Sequence, residues 1–344
     1  VRAYGDSITQ HYAATNPGVN DYVSLLGTYY GVAPINNALS GDTSCEMTDK
    51  VFRYENPTTS TTGIYTAMIG TNDANRNGSA YVATYQSCHL AALSWLAVPR
   101  SAKVFAQDSA CVKAGTWSVD NTYQTGIGET SSTNGSTLTC SIVTDGNPVY
   151  IWYRVINGNT GTFTYSLDGG SATAGNTFTT PAIATYNGGT QSVGFIRIPH
   201  VAAGSHSVVL TVTSSTGSVP IVGIGSSPLK GYVGQMSVYS AGVPFQAADN
   251  LSTVTAAYNA DAQADANLIA GDGGDVVFVN VRAYLCPDCA NVPPGTGDMN
   301  DAEHPNDLGH AELATAFEAV IDLIRGLTEN KHILGNAGLM GNFH

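Results

Sequence analysis

Val1-Arg2-Ala3-Tyr4-Gly5-Asp6-Ser7-Ile8-Thr9 opens the chain. The first four residues read as a strand, and Gly5, Asp6 and Ser7 make the turn that leads from it into a helix. The same unit recurs further on. Residues 64–69 and 103–106 are strand-like apolar runs. Tyr22, Leu25, Leu26 and Tyr29 share one helical face, and Val82, Tyr85, His89, Ala92, Leu93 and Leu96 share another. Strand–helix alternation of this kind is the signature of a parallel α/β sheet. From about Ser109 to Ser227 the texture changes. Gly, Ser and Thr rise, helical spacing disappears, and Val149, Ile151 and Tyr153 alternate with Tyr150, Trp152 and Arg154. Gly-Asn, Asp-Gly-Gly and Asn-Gly-Gly turns separate the runs. This predicts a β-sandwich of jelly-roll type. After about Leu229 the first texture returns, with an Ala-rich helix over 252–270, a buried parallel strand over 275–281 and a helix over 312–325. The expected architecture is a three-layer α/β/α parallel-sheet domain built from 1–108 and 229–330. An all-β sandwich is inserted over 109–228, and a Gly/Asn-rich tail, 331–344, is peripheral.

Composition narrows the function. Of 344 residues 43% are hydrophobic, enough for a sizeable core, and only 11% are charged, against roughly 25% in an average domain. The surface is therefore built from uncharged polar residues. A net charge of −13 excludes a nucleic-acid binder, which needs a basic stripe to track phosphates, and a polybasic membrane-surface protein. No apolar run approaches the ~18 residues of a transmembrane segment. The chain starts at Val1 without a methionine, so any signal peptide has been removed, and the low-lysine composition suits a secreted protein. Six cysteines point the same way. Cys286-Pro-Asp-Cys289 has redox-pair spacing, and in an exported protein it reads as a small structural disulfide. Cys111 with Cys140 is one pairing within the module, leaving Cys45 and Cys88, among fifteen possible connectivities.

Four short blocks carry chemistry. Ser7 in Gly5-Asp6-Ser7 is an exposed hydroxyl at a strand end, its N–H near the expected helix N-terminus where negative charge is favoured. Gly41, in Asn37-Ala38-Leu39-Ser40-Gly41-Asp42, offers an N–H with no side chain in the way. Asn72, in Gly70-Thr71-Asn72-Asp73, follows a strand and can aim its amide into the cleft where α/β sheets bind ligands. In Asp301-Ala302-Glu303-His304, a carboxylate three residues from an imidazole can fix its tautomer and leave the other nitrogen as a base. Each block alone is an ordinary turn or cap.

Together, in this order, the four blocks resemble the SGNH (GDSL-type) serine hydrolase superfamily, whose hallmarks are Gly-Asp-Ser, a loop Gly, Gly-x-Asn-Asp and Asp-x-x-His. The resemblance covers the α/β portion and not the insert. It implies Ser7 as nucleophile, His304 as general base and Asp301 as the residue that orients it. The oxyanion hole would consist of the Ser7 N–H, the Gly41 N–H and the Asn72 amide. Such a set suits acyl transfer to water with no metal or organic cofactor. His310 is a second candidate base, and Glu303 a second orienting acid. Asp298, Asp301, Glu303 and Asp307 form an acidic loop that lacks the spacing of a calcium site. The insert is rich in aromatics, among them Trp117, Tyr150, Trp152, Tyr153, Phe178 and Tyr186. One strand face belongs to the core; the other either packs on the catalytic domain or offers a platform for sugar rings, and in texture the insert is similar to carbohydrate-binding modules.

The expected function is that of an exported serine esterase acting on short acyl esters, O-acetyl groups of a polysaccharide in particular. Its partner would be an acylated polysaccharide substrate. Two alternatives stand beside it: a lipase or lysophospholipase, which needs an apolar groove near Ser7, and a non-catalytic carbohydrate-binding protein on the same scaffold.

Overall fold

The computed structural model describes residues 1–55, 63–156, 158–175, 191–213, 216–228, 237–244, 252–285, 298–301 and 303–325. The chain runs through β1 (Arg2–Gly5), α1 (Tyr22–Tyr30), β2 (Ile35–Asn36), α2 (Ser44–Tyr54), β3 (Ile64–Met68), α3 (Thr71–Asn77) and α4 (Val82–Ala97). Eleven described strands follow: β4 (Lys103–Phe105), β5 (Cys111–Ala114), β6 (Ser118–Asp120), β7 (Gly128–Ser131), β8 (Thr137–Asp145), β9 (Val149–Ile156), β10 (Phe163–Leu167), β11 (Thr173–Ala174), β12 (Gln191–Ile198), β13 (Ala203–Val212) and β14 (Val219–Ser226). The chain returns through β15 (Ser237–Ala241), α5 (Ser252–Gly271), β16 (Val276–Phe278), α6 (Arg282–Leu285) and α7 (Asp307–Arg325).

The α/β part is a three-layer sandwich around a parallel sheet of order β16-β15-β3-β1-β2. Side chains alternate across a strand, and here both faces are apolar. Ala3, Ile64, Met68 and Tyr239 pack with Leu26 of α1 and with Leu313, Phe317 and Ile321 of α7. Tyr4, Tyr65, Ala67 and Val238 point the other way, toward Val51 of α2, Trp95 of α4 and Ala262 of α5. The carboxyl ends of β1 and β3 then deliver Ser7 and Asn72 to the same edge.

The insert is a β-sandwich. One sheet has the order β11-β10-β13-β8-β5; the other has β12-β9-β14-β7-β6, with β4 also paired to β14. Leu138, Ile142, Ile151, Tyr153, Leu210 and Ile224 fill the space between them. The alternation along 149–154 therefore has two destinations. Val149, Ile151 and Tyr153 face the sandwich interior, whereas Tyr150 and Trp152 face the α/β helices. Trp152 lies edge-on to Trp95, with ring centroids 5.1 Å apart, and its indole N–H donates to Ser94 Oγ at 2.9 Å. Among the described residues of 109–228 Trp117, Tyr165 and Phe195 are half-buried and the other aromatic side chains are buried; Phe178 and Tyr186 lie outside the described residues.

Two details depart from the sequence reading. Residues 103–106 do not enter the parallel sheet: β4 runs antiparallel to β14, Val104 opposite Ile224. Gly223 permits that approach, since a Cβ there would stand 2.6 Å from the Val104 carbonyl oxygen. No helix follows Ser7 directly either. Asp6 takes the Ile8 N–H on its carboxylate at 3.1 Å, and turns continue until Asp21 caps α1 through the Ser24 N–H at 2.9 Å. Ser7 therefore gains nothing from a helix dipole. Disulfides join Cys45 to Cys88 and Cys111 to Cys140. The expected Cys286–Cys289 bridge and the tail 331–344 fall outside the described residues.

Candidate active site

Ser7 Oγ lies 2.9 Å from His304 Nε2. On the other side of the imidazole, His304 Nδ1 is 2.9 and 3.0 Å from the two carboxylate oxygens of Asp301. Asp301 Oδ1 also accepts the N–H groups of Glu303 and His304, each at 2.8 Å. Burial pushes the Asp301 carboxyl up, but the two N–H bonds and the imidazole outweigh it and hold it below the ordinary value. A carboxylate fixed in this way keeps the proton on Nδ1 and leaves Nε2 to take one from Ser7. Residues 297 positions apart are thus joined in one hydrogen-bonded chain.

The Asn72 amide donates to the Asp42 carbonyl at 3.0 Å. It is thereby tied to the loop that carries Gly41. Gly41 has φ of +86°, a left-handed conformation that glycine adopts without strain. The same loop reaches the strand that precedes Ser7, where the Leu39 N–H donates to the Gly5 carbonyl at 3.3 Å. Gly5 itself has no room for a side chain: a Cβ would collide with Thr9 and with the Met68 carbonyl. Asp73 holds the start of α2 by accepting the Ser44 N–H at 2.9 Å and the Ser44 hydroxyl at 2.6 Å. Beneath the site lie three buried carboxyls, Asp6, Asp42 and Asp73. Asp42 pairs with Lys50. Burial, then the nearby charges of Asp42 and Asp73, push Asp6 up to about 7, and burial pushes Asp73 up to about 6.

The other candidates have different partners. Glu303 accepts from the Asn75 amide at 2.7 Å, which links the Asp-x-x-His loop to α3. His310 is buried; its Nε2 lies 3.3 Å from the Tyr12 carbonyl, and burial pushes it below the usual imidazole value. Asp307 accepts the Thr15 N–H at 2.8 Å and an Asn20 N–H at 2.9 Å. The acidic residues of this loop thus serve separate bonds, and among the described residues no group of three is arranged to hold a metal ion. Asn306 caps α7, accepting from the Leu308 N–H at 2.9 Å.

Sequence reading missed a second Ser-His-Asp chain. His89 Nδ1 is 2.9 Å from Asp265 and Nε2 is 3.0 Å from Ser240 Oγ. Ser240 and His89 are 0% exposed and Asp265 1%, so no substrate reaches them; the array fastens α4 and α5 to β15. Its members are up to 176 residues apart, with no local signal. The side chains of His304 and Asp301 are by contrast 15% and 44% exposed; Ser7, expected to be exposed at its turn, is itself buried, at 6%.

Residues 3–128 match the GDSL-like lipase/acylhydrolase family model. No curated protein matches the chain. Among solved structures it is similar to a two-domain esterase (CEX) active on acetylated mannans, at 14% identity and TM-score 0.37, covering 67% of this chain and 91% of that one. It is also similar to a member of the lipolytic protein G-D-S-L family from Veillonella parvula DSM 2008, at 9% identity and TM-score 0.42, covering 92% and 93%. A family 35 carbohydrate binding module from Clostridium thermocellum aligns with 36% of this chain and 96% of its own length, at 16% identity and TM-score 0.28.

Proposed function

We propose that this chain, an SGNH-type hydrolase acting on esters, is an exported serine esterase that removes short acyl groups, O-acetyl groups of a polysaccharide in particular. The observation that carries the reading is the hydrogen-bonded chain Ser7–His304–Asp301. An alcohol is a weak nucleophile until a base takes its proton. Here Ser7 Oγ attacks the ester carbonyl as His304 Nε2 accepts the hydroxyl proton, and Asp301 holds the imidazolium. The oxygen that gains charge is met by the N–H of Ser7, the N–H of Gly41 and the Asn72 amide. The C–O bond to the sugar breaks, and His304 returns its proton to the leaving alcohol. Water, deprotonated by His304, then attacks the acyl-Ser7 ester and releases the carboxylic acid. Two buried disulfides support the exported setting, and the small charged fraction supports it too. No described helix is long and apolar enough to cross a membrane.

The test is direct. The purified protein should hydrolyse p-nitrophenyl acetate, and a fluorophosphonate should label Ser7. Ser7→Ala and His304→Ala should abolish turnover and leave the melting temperature within a few degrees. Absence of hydrolysis together with an unlabelled Ser7 sinks the enzyme reading. Rates that rise steadily from two to sixteen acyl carbons favour the lipase alternative and sink the acetylesterase one.

A further inference from the structure

Tyr12 stands at the rim of the site with its ring against the imidazole of His304, centroids 4.3 Å apart and planes inclined by 45°. The residue is 52% exposed, so one side of the ring touches the imidazole bonded to Ser7 and the rest is open to solvent. Its backbone is held from both ends. The Tyr12 N–H donates to the Ser7 carbonyl at 2.9 Å, and the Tyr12 carbonyl accepts from His310 Nε2 at 3.3 Å. Its two neighbours, His11 and Ala13, have φ of +81° and +66°. A non-glycine residue in that region carries backbone strain. Three residues after Tyr12, Thr15 is bonded to Asp307 at the start of α7. The fold thus holds an aromatic ring half in solvent, through strained backbone, beside one imidazole. A ring needed only for packing gains most when buried.

Mechanism says which part of the substrate meets this ring. His304 must hand its proton to the leaving oxygen, so the alcohol portion of the ester stands on the imidazole side. The carbonyl oxygen faces the Gly41 and Asn72 donors instead. An alcohol group next to His304 lies next to Tyr12. Pyranose rings present an apolar C–H face that stacks on aromatic faces, whereas a small aliphatic alcohol has no such face. We propose that Tyr12 is the platform for the sugar ring that carries the scissile ester, and so a specificity-determining residue of the site. This rests on the reading of the site as an esterase acting on glycans.

The experiment compares kcat/KM on acetylated xylo-oligosaccharides with kcat/KM on ethyl acetate, whose alcohol has no ring. Tyr12→Ala should lower the ratio of the two by tenfold or more, and Tyr12→Phe should keep it within about threefold of the native ratio. Circular dichroism on each variant checks the fold, and Tyr12→Leu, which retains bulk without a ring, should behave as Tyr12→Ala. The proposal is overturned if the ratio is unchanged in Tyr12→Ala, whether both rates fall together because the ring merely braces His304 or neither moves. A native protein active on ethyl acetate but on no acetylated glycan overturns the glycan reading and the platform with it. Inactivity on every ester overturns the esterase reading itself.

Discussion

Asp301 and Glu303 are two residues apart and both acidic, yet their geometry separates their work. Asp301 meets the imidazole, and Glu303 meets Asn75. In the proposed mechanism Asp301→Asn leaves the ring in place with the wrong tautomer and should lower kcat on the order of 10⁴-fold. Glu303→Gln keeps a hydrogen bond to Asn75 and should cost far less; steady-state kinetics on p-nitrophenyl acetate would rank the two, and equal losses would refute the assignment of Asp301. Asn72→Ala removes a donor already aligned by the Asp42 carbonyl. It should lower kcat by about 10²–10³-fold with little change in KM, and an unchanged kcat removes the amide from the oxyanion hole. The residue types of this site could be read from the sequence because acyl transfer needs a hydroxyl, a base, an acid and N–H donors, and these stand in short fixed blocks. Tyr12 could not be read, since its position depends on a turn that no periodicity announces. The Asp-x-x-His spacing already set His304 ahead of His310, and the two rings do differ in reach, one meeting Ser7 and the other the Tyr12 carbonyl.

The turns after β1 and β3 and the start of α2 together bury Asp6, Asp42 and Asp73. Asp6 has one carboxylate oxygen on the Ile8 N–H, and that bond and the Thr71 side chain favour its ionised form without outweighing burial. With a folded-state value of about 7 against an ordinary 3.8, the folded protein holds this proton more tightly than the unfolded chain does. The stabilisation from the neutral form is full below pH 4 and is lost as pH rises toward 7. Asp6→Asn keeps the acceptor for Ile8 and cannot ionise. Its melting temperature relative to the native protein should therefore climb between pH 4 and 8, by an amount equivalent to a few kcal/mol. Thermal unfolding across that range checks it; a constant difference would mean that Asp6 is ionised in the fold throughout. Helices and parallel strands were legible because each carries an apolar face at its own period. The turn after Ser7 and the pairing of β4 with β14 were not. One is decided by Asp6 folding back onto Ile8, the other by a glycine 119 residues after Val104 in the chain.

At the scale of the whole molecule the question is whether the β-insert is an appendage or part of the core. Trp152, Tyr150, Val193 and Val222 belong to the same apolar cluster as Phe52, Leu93 and Trp95 of the α/β helices. Polar ties cross at the same place. Arg197 Nε and the Tyr150 hydroxyl both donate to Asp272, at 2.7 and 2.8 Å, Ser192 Oγ donates to the Cys45 carbonyl at 2.9 Å, and the Gln124 amide donates to the Phe52 carbonyl at 2.8 Å. The sequence alone leaves open an insert that serves only to bind substrate, in which case its removal would spare activity on small esters. The packing argues otherwise. Without 109–228, the face of α4 that carries Trp95 would meet water, along with Phe52 of α2, and an exposed apolar surface of that kind drives aggregation. We therefore expect the excised chain to be insoluble or to lack a cooperative transition. The intact protein should melt in a single calorimetric transition in which esterase activity is lost at the same temperature. Trp152→Ala, far from Ser7 in sequence, should lower that one midpoint through a loss of about 3–5 kcal/mol. Two resolved transitions, or an excised chain that hydrolyses p-nitrophenyl acetate at the native rate, would show instead that the two parts are independent and that their shared cluster contributes little.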